Sequence, residues 1–231
     1  MYYHRGLYFD PTMIILLPAI LLSLYAQIKV KSTYSKYSRI NNMNGLTGFQ
    51  VARLMLDEAG LSYIPVEMIS GELTDHYDPR SKVLRLSSKV YSDSSIASVG
   101  VAAHEVGHAI QHAEEYAPIK IRNAIVPAVN FGSSFSMILF IAGLVLSATP
   151  LIDLGILLFS ATVIFQIVTL PVEFNASHRA MEIIKRRNFL YDKEVKGAGK
   201  VLRSAALTYV ASALMAILQL VRLIAIRNDR N

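Results

Sequence analysis

The chain has 231 residues, 53% of them hydrophobic and only 17% charged, with a mean hydropathy of +0.38. A soluble domain carries about a quarter charged residues, and the shortage here is local: the stretches 11–28, 123–152, 154–172 and 204–221 hold no Asp, Glu, Lys, Arg or His. Those runs exclude a simple water-soluble globule, and the ordinary charge density of the rest excludes a protein made only of membrane helices.

The chain has no cysteine, so neither a disulfide framework nor a thiolate metal site can form. Its net charge of +6 and pI near 9.5 fit cationic loops held beside anionic lipid. No basic motif with interleaved aromatics is present, so the bilayer and not nucleic acid is the expected partner.

The first apolar run, Pro11–Ile28, is just long enough to cross a hydrocarbon core of about 30 Å at about 1.5 Å per residue. Its cationic flank is downstream, at Lys29, Lys31, Lys36 and Arg39, while Arg5 is set against Asp10 upstream. This reads as an anchor with its N-terminus outside, not a cleaved signal. Residues 29–122 then form an aqueous segment. Thr47-Gly48-Phe49-Gln50 has the form of a capping box, followed by the helical stripe Phe49, Val51, Leu54 and Met55, with Gly60 closing it. Residues 63–88 switch to β-formers around the turn Asp78-Pro79-Arg80-Ser81, predicting a hairpin or three-stranded meander. Ser92-Asp93-Ser94 offers caps for a helix from about Ser95 to Glu115, ended before Pro118.

That helix carries His104-Glu105-Val106-Gly107-His108, the H-E-x-x-H pattern, of which this composition predicts about 0.006 by chance. Residues i and i+4 share a helix face, so both imidazoles can reach one Zn²⁺. Glu105, offset beside the metal, is placed to take the proton of a zinc-bound water. The competing reading, two surface histidines flanking a glutamate, fits poorly with the small residues Ala102, Ala103, Gly107 and Ala109 around them.

Residues 123–172 are interrupted only by Asp153 and predict two spans joined by a short loop. Both flanks are cationic: Lys120 and Arg122 before, Arg179, Lys185, Arg186 and Arg187 after. Segments 29–122 and 173–203 therefore share one side, the cytoplasmic one. The last run, 204–221 within a segment 204–226, is a further span or a membrane-associated helix, with Arg222, Arg227 and Arg230 beyond the run weakly opposing an external C-terminus. The fold class expected is α+β and mainly α, with about four transmembrane helices and a small zinc protease domain.

A catalytic zinc takes three protein ligands. His112 lies one further turn along the same helix and cannot close on the same ion. Glu173, where the third span emerges on the side of His104 and His108, is the stronger candidate, against the reading of an ordinary interfacial carboxylate. Candidate donors for the developing oxyanion, or for holding a ligand from behind, are His178, Arg179, His76 and Tyr77; for each, a structural hydrogen bond or lipid contact is the competing reading.

The pair His104-Glu105-Val106-Gly107-His108 and Glu173-Phe174-Asn175-Ala176-Ser177-His178-Arg179-Ala180 resembles the bacterial membrane zinc metallopeptidases of the YugP-like family. Leu73-Thr74-Asp75-His76-Tyr77-Asp78-Pro79-Arg80 and Leu84-Arg85-Leu86-Ser87 resemble the segment ahead of that family's zinc helix, and the likeness runs from Tyr34 to about Gly197. More distantly the chain is similar to the heat-shock and CAAX-processing membrane gluzincins, where two spans also separate H-E-x-x-H from a Glu in an E-x-x-x-D pattern. Here Ser177 stands in place of that Asp. The resemblance implies one catalytic Zn²⁺ held by His104, His108 and Glu173, with Glu105 as general base. It implies a peptidase of the bacterial plasma membrane, and a site at the cytoplasmic surface of the bilayer makes membrane-associated or unfolded polypeptides the expected substrates of an endopeptidase. Val83–Ser88 precedes the zinc helix as an edge strand does in gluzincins, and substrate is expected to add to it as a further strand. The rival functions are a zinc-binding membrane scaffold or chaperone without turnover, and a site-2-type protease cutting within the bilayer. The sequence leaves substrate, oligomeric state and regulatory partners open.

Overall fold

The computed structural model describes residues 11–229; Arg5, Asp10 and Arg230, which enter the charge argument above, lie outside them. A 3₁₀ turn, Pro11–Leu16, leads into α1 (Leu17–Tyr37). Then come α2 (Gly48–Glu58), β1 (Val66–Ile69), β2 (His76–Asp78), β3 (Val83–Ser87), α3 (Ser88–Ser92) and α4 (Ile96–Ala113). Three long helices follow: α5 (Ala117–Val145), α6 (Thr149–Arg186) and α7 (Asp192–Asn228). The protein is α+β, mainly helical with one small sheet.

Among the described residues four helices are long and apolar enough to cross a membrane: Pro11–Tyr37, α5, α6 and α7. At most 28% of the most apolar stretch of any of them is buried within the protein. Ile14, Leu21, Ile28, Ile138, Leu157 and Ile164 are all more than half exposed. Such surface would cost about 25 cal/mol per Å² in water and nothing in hydrocarbon, which is the environment that makes these helices stable.

The chain divides into two compact units, and α1, α5, α6 and α7 each contribute residues to both. One unit comprises the chain up to Tyr25, Ile125–Ile167 and Val210 onward. Its small core is Phe140, Ile152 and Leu223. Gly155 lets α6 approach α5, since a Cβ there would sit 2.7 Å from the Ser136 carbonyl oxygen. Arg227 donates to both Asp153 oxygens, 3.0 and 3.4 Å away. That pairing answers a charge puzzle in the sequence: Arg227 is matched by Asp153, the one charged residue within 123–172.

The other unit, Ala26–Ala124 with Val168–Tyr209, contains the sheet and α2–α4. The expected capping box starts α2: Thr47 Oγ1 accepts the Gln50 N–H, and Gln50 Oε1 accepts the Thr47 N–H. Val51, Ala52, Met55 and Leu56 face the core, whereas Leu54, placed on that stripe by the sequence, is 47% exposed. Helix α4 is capped by Ser95, whose Oγ accepts the Ser98 N–H, one residue beyond the expected triplet.

The sheet corrects two expectations. Its order is β1-β3-β2, with β2–β3 an antiparallel hairpin and β1 parallel to β3, so it is not a meander. Nor is Val83–Ser87 an edge, since β3 is the central strand. The cause is the connection from β1 to β2, which crosses the C-terminal end of β3. Asp75 fixes the crossing by accepting the Ser87 N–H at 2.7 Å and the Ser87 hydroxyl at 3.0 Å.

Candidate metal centre

Helix α4 packs by small residues: Gly100, Ala102, Ala103, Val106, Gly107 and Ala109 are all buried. Gly107 has a particular reason to be glycine. A Cβ there would lie 2.6 Å from the Ala176 carbonyl oxygen, so α4 and α6 meet backbone to backbone at this point. His104 and His108, one turn apart, flank that contact with their rings edge to face, centroids 4.7 Å apart. The close approach brings Glu173 to the same place. One ligand atom each from His104, His108 and Glu173 lies within 4.8 Å of the others.

The detail of this triangle tests whether a metal fits. Glu173 Oε2 is 3.3 Å from His104 Nε2 and 3.5 Å from His108 Nε2. Tetrahedral zinc with bonds of about 2.0–2.1 Å sets its ligand atoms about 3.3 Å apart. Glu173 is 4% exposed, yet Oε2 has no hydrogen-bond partner. A buried carboxylate oxygen left without a donor costs free energy unless something positive meets it. Two neutral imidazole nitrogens and one carboxylate oxygen are a common zinc donor set, and their geometry fits the ion.

The other polar atoms of the three residues are held from behind. His108 Nδ1 is 3.0 Å from Gln111 Oε1, and His104 Nδ1 is 3.1 Å from the Ser177 hydroxyl. Ser177 thus sets a neutral hydroxyl against His104. Arg122 Nη1 lies 3.5 Å from Glu173 Oε1, and Tyr209, on α7, stands near the same carboxylate. None of Gln111, Ser177, Arg122 and Tyr209 emerged from the sequence as a site residue. Gln111 could have been found, because i+3 from His108 shares its helix face. Tyr209 could not, being one hydroxyl within an apolar run far along the chain.

Glu105 Oε2 accepts the backbone N–H of Tyr77 at 3.1 Å. In the register Tyr77↔Leu84, the Leu84 N–H turns to Pro65 on the β1 side. Tyr77 therefore presents its own N–H and C=O away from β3, along the free edge of β2. The Tyr77 hydroxyl lies 2.9 Å from His112 Nδ1, and burial pushes that phenol up to about 12. Burial likewise raises the Asp75 carboxyl, against the pull of the Ser87 hydrogen bonds and with the help of the nearby Glu105 charge.

The remaining sequence candidates fall elsewhere. His178 is 68% exposed at its side chain and pairs with Glu182 at 3.2 Å. Arg179 pairs with Glu114 at 2.6 Å and donates to Asn175 at 2.7 Å. His76 is exposed, its Nδ1 2.8 Å from the Thr74 carbonyl oxygen. Of the four donors considered, Tyr77 alone touches Glu105, and it does so through its backbone.

With this geometry in place, comparison with known proteins is informative. No solved structure matches the chain. It is 51% identical over 205 residues to "Putative membrane protease YugP" of Bacillus subtilis (strain 168), covering 89% of this chain and 91% of that one. A family model described as "Putative neutral zinc metallopeptidase" matches residues 12–228, nearly the whole sequence, including both histidines and Glu173. The chain belongs to that zinc metallopeptidase family.

Proposed function

We propose that the protein is a membrane endopeptidase in which His104, His108 and Glu173 hold one zinc ion and Glu105 is the general base. The observation that carries this reading is the buried, donorless Glu173 Oε2 set 3.3 and 3.5 Å from two imidazole nitrogens. A zinc ion bound there supplies Lewis acidity toward water and toward the scissile carbonyl. The protein's own groups do the rest. Glu105 takes a proton from the attacking water and returns it to the leaving amine, while the Tyr77 N–H keeps one carboxylate oxygen in place. The free edge of β2, next to Glu105, is where an extended substrate adds, its backbone N–H groups reaching the Tyr77 carbonyl.

Substrates of this site are membrane-associated or unfolded polypeptides. Glu173 follows directly on the charge-free run of α6, so the site opens where that helix leaves its apolar stretch. Lysines and arginines flank the spans on the side of residues 29–122 and 173–203, which supports a site on the cytoplasmic face of the plasma membrane.

The test uses full-length protein in detergent, zinc-loaded, on unfolded casein. Wild type is expected to cleave, and Glu105→Gln to retain zinc while losing at least about 100-fold in rate. Equal cleavage by both would remove the mechanism. Cleavage by neither would favour a zinc-bound scaffold.

A further inference from the structure

We infer that Gln111 is a positioning residue: it fixes the proton of His108 on Nδ1, and it locks the helix bearing Glu173 to the helix bearing the histidines. The inference rests on the ligand assignment proposed above. Gln111 is fully buried. Its amide nitrogen donates to the Val172 carbonyl oxygen at 2.8 Å and to Asn175 Oδ1 at 2.9 Å. Both of its N–H groups are thereby committed, and an amide has no others.

The orientation of the Asn175 amide is fixed in turn, because Oδ1 also accepts the Arg179 Nε–H at 2.7 Å. A flipped Gln111 would set its oxygen against two acceptors, so the usual doubt between amide oxygen and nitrogen does not arise. Gln111 Oε1 must then be the atom facing His108 Nδ1 at 3.0 Å, and it can only accept. Neutral His108 therefore carries its proton on Nδ1 and leaves the Nε2 lone pair facing Glu173 Oε2. The Ser177 hydroxyl beside His104 can donate or accept and makes no such choice.

The same side chain sets the third ligand. Val172 and Asn175 bracket Glu173 on α6, so Gln111 grips that helix on both sides of it. One buried amide thus links the tautomer of one ligand to the register of another. Partners of this kind change metal affinity without touching the ion.

The experiment measures zinc affinity of full-length apoprotein in detergent by chelator competition, with the melting temperature of each apoprotein alongside. Gln111→Leu is expected to bind zinc about 10–100-fold more weakly than wild type. Gln111→Glu keeps an acceptor for the Nδ1–H but cannot donate to Val172 and Asn175. It is expected to recover at least about tenfold of that loss while melting below wild type. A folded Gln111→Leu with wild-type affinity, or a Gln111→Glu as weak as Gln111→Leu, would overturn the inference. His108→Ala provides the reference: undiminished zinc binding there would bring down the ligand assignment and the role of Gln111 together. Loss in His108→Ala with none in Gln111→Leu would remove Gln111 alone. Nitrogen spectra of ¹⁵N-histidine-labelled wild type, at a pH where His108 is neutral, need no variant at all. An Nδ1–H tautomer is expected, and Nε2–H would refute the inference.

Discussion

The amide N–H of Tyr77 and the carboxylate of Glu105 are joined at 3.1 Å, across 28 residues of sequence. The proposed base is thus tied to the backbone of the strand along which substrate is expected to lie. Glu105→Asp shortens the side chain by one methylene, which withdraws the carboxylate from both the Tyr77 N–H and the attacking water. A displacement of about 1 Å can cost about 100-fold in rate, so kcat should fall by that order while zinc affinity stays at the wild-type value. Single-turnover peptide cleavage beside chelator competition separates the two.

Gly107→Ala forces a methyl to within 2.6 Å of the Ala176 carbonyl oxygen, an atom that cannot rotate away. Helices α4 and α6 must part there, and overpacking of this kind costs about 1–3 kcal/mol. Both a lower melting temperature and weaker zinc binding are expected, because the histidines and Glu173 sit on the separated helices. Gly45→Ala, where a Cβ meets nothing within 4 Å, is the contrasting substitution: its φ of +65° strains the backbone, yet zinc affinity should be unaffected.

The Asp75 carboxyl offers a pH test. Its folded-state pKa is raised, mainly by burial. A carboxyl raised in this way binds its proton more tightly when folded, so it destabilises the fold progressively as pH rises through and above the ordinary carboxylate range. Asp75→Asn keeps an acceptor for the Ser87 N–H and cannot ionise. The melting temperature of the variant minus that of wild type, both as apoprotein, should therefore increase from pH 4 to pH 7. A difference that stays flat or shrinks would contradict this account.

Topology can be read without background, because the chain has no cysteine. Thr149 begins α6 and Asn228 ends α7, next to the Asp153–Arg227 pair. Thr149→Cys and Asn228→Cys should react with a membrane-impermeant maleimide from outside intact cells. Lys193→Cys, near the start of α7, should react only after the membrane is opened. Labelling of Lys193→Cys from outside would reverse the proposed orientation.

Much of the helical scaffold was legible because its signals are local. A charge-free run of bilayer length needs no tertiary context, and neither do the Thr47 capping box or the i, i+4 histidines. The sheet was less legible. Two β-rich segments were visible and His76–Asp78 was not, and the strand order depends on whether six residues, 70–75, turn back or cross a strand end, which Asp75 settles through a contact with Ser87. The expectation of an edge at Val83–Ser88 failed for this reason. Arg122, Ser177 and Tyr209 were passed over because each gains its meaning only from a residue on another helix.

The order of these elements along the chain has a consequence for biogenesis. The two histidines are synthesised first, then α5 and the apolar part of α6, and only then Glu173. During translation, at about 5–20 residues per second, the nascent protein carries a base and two imidazoles for some seconds with no third ligand to join them. The proposed ligand set closes only after two apolar helices have left the ribosome and entered a bilayer. On the proposed ligand set, a chain that has not reached a bilayer has not completed its metal site.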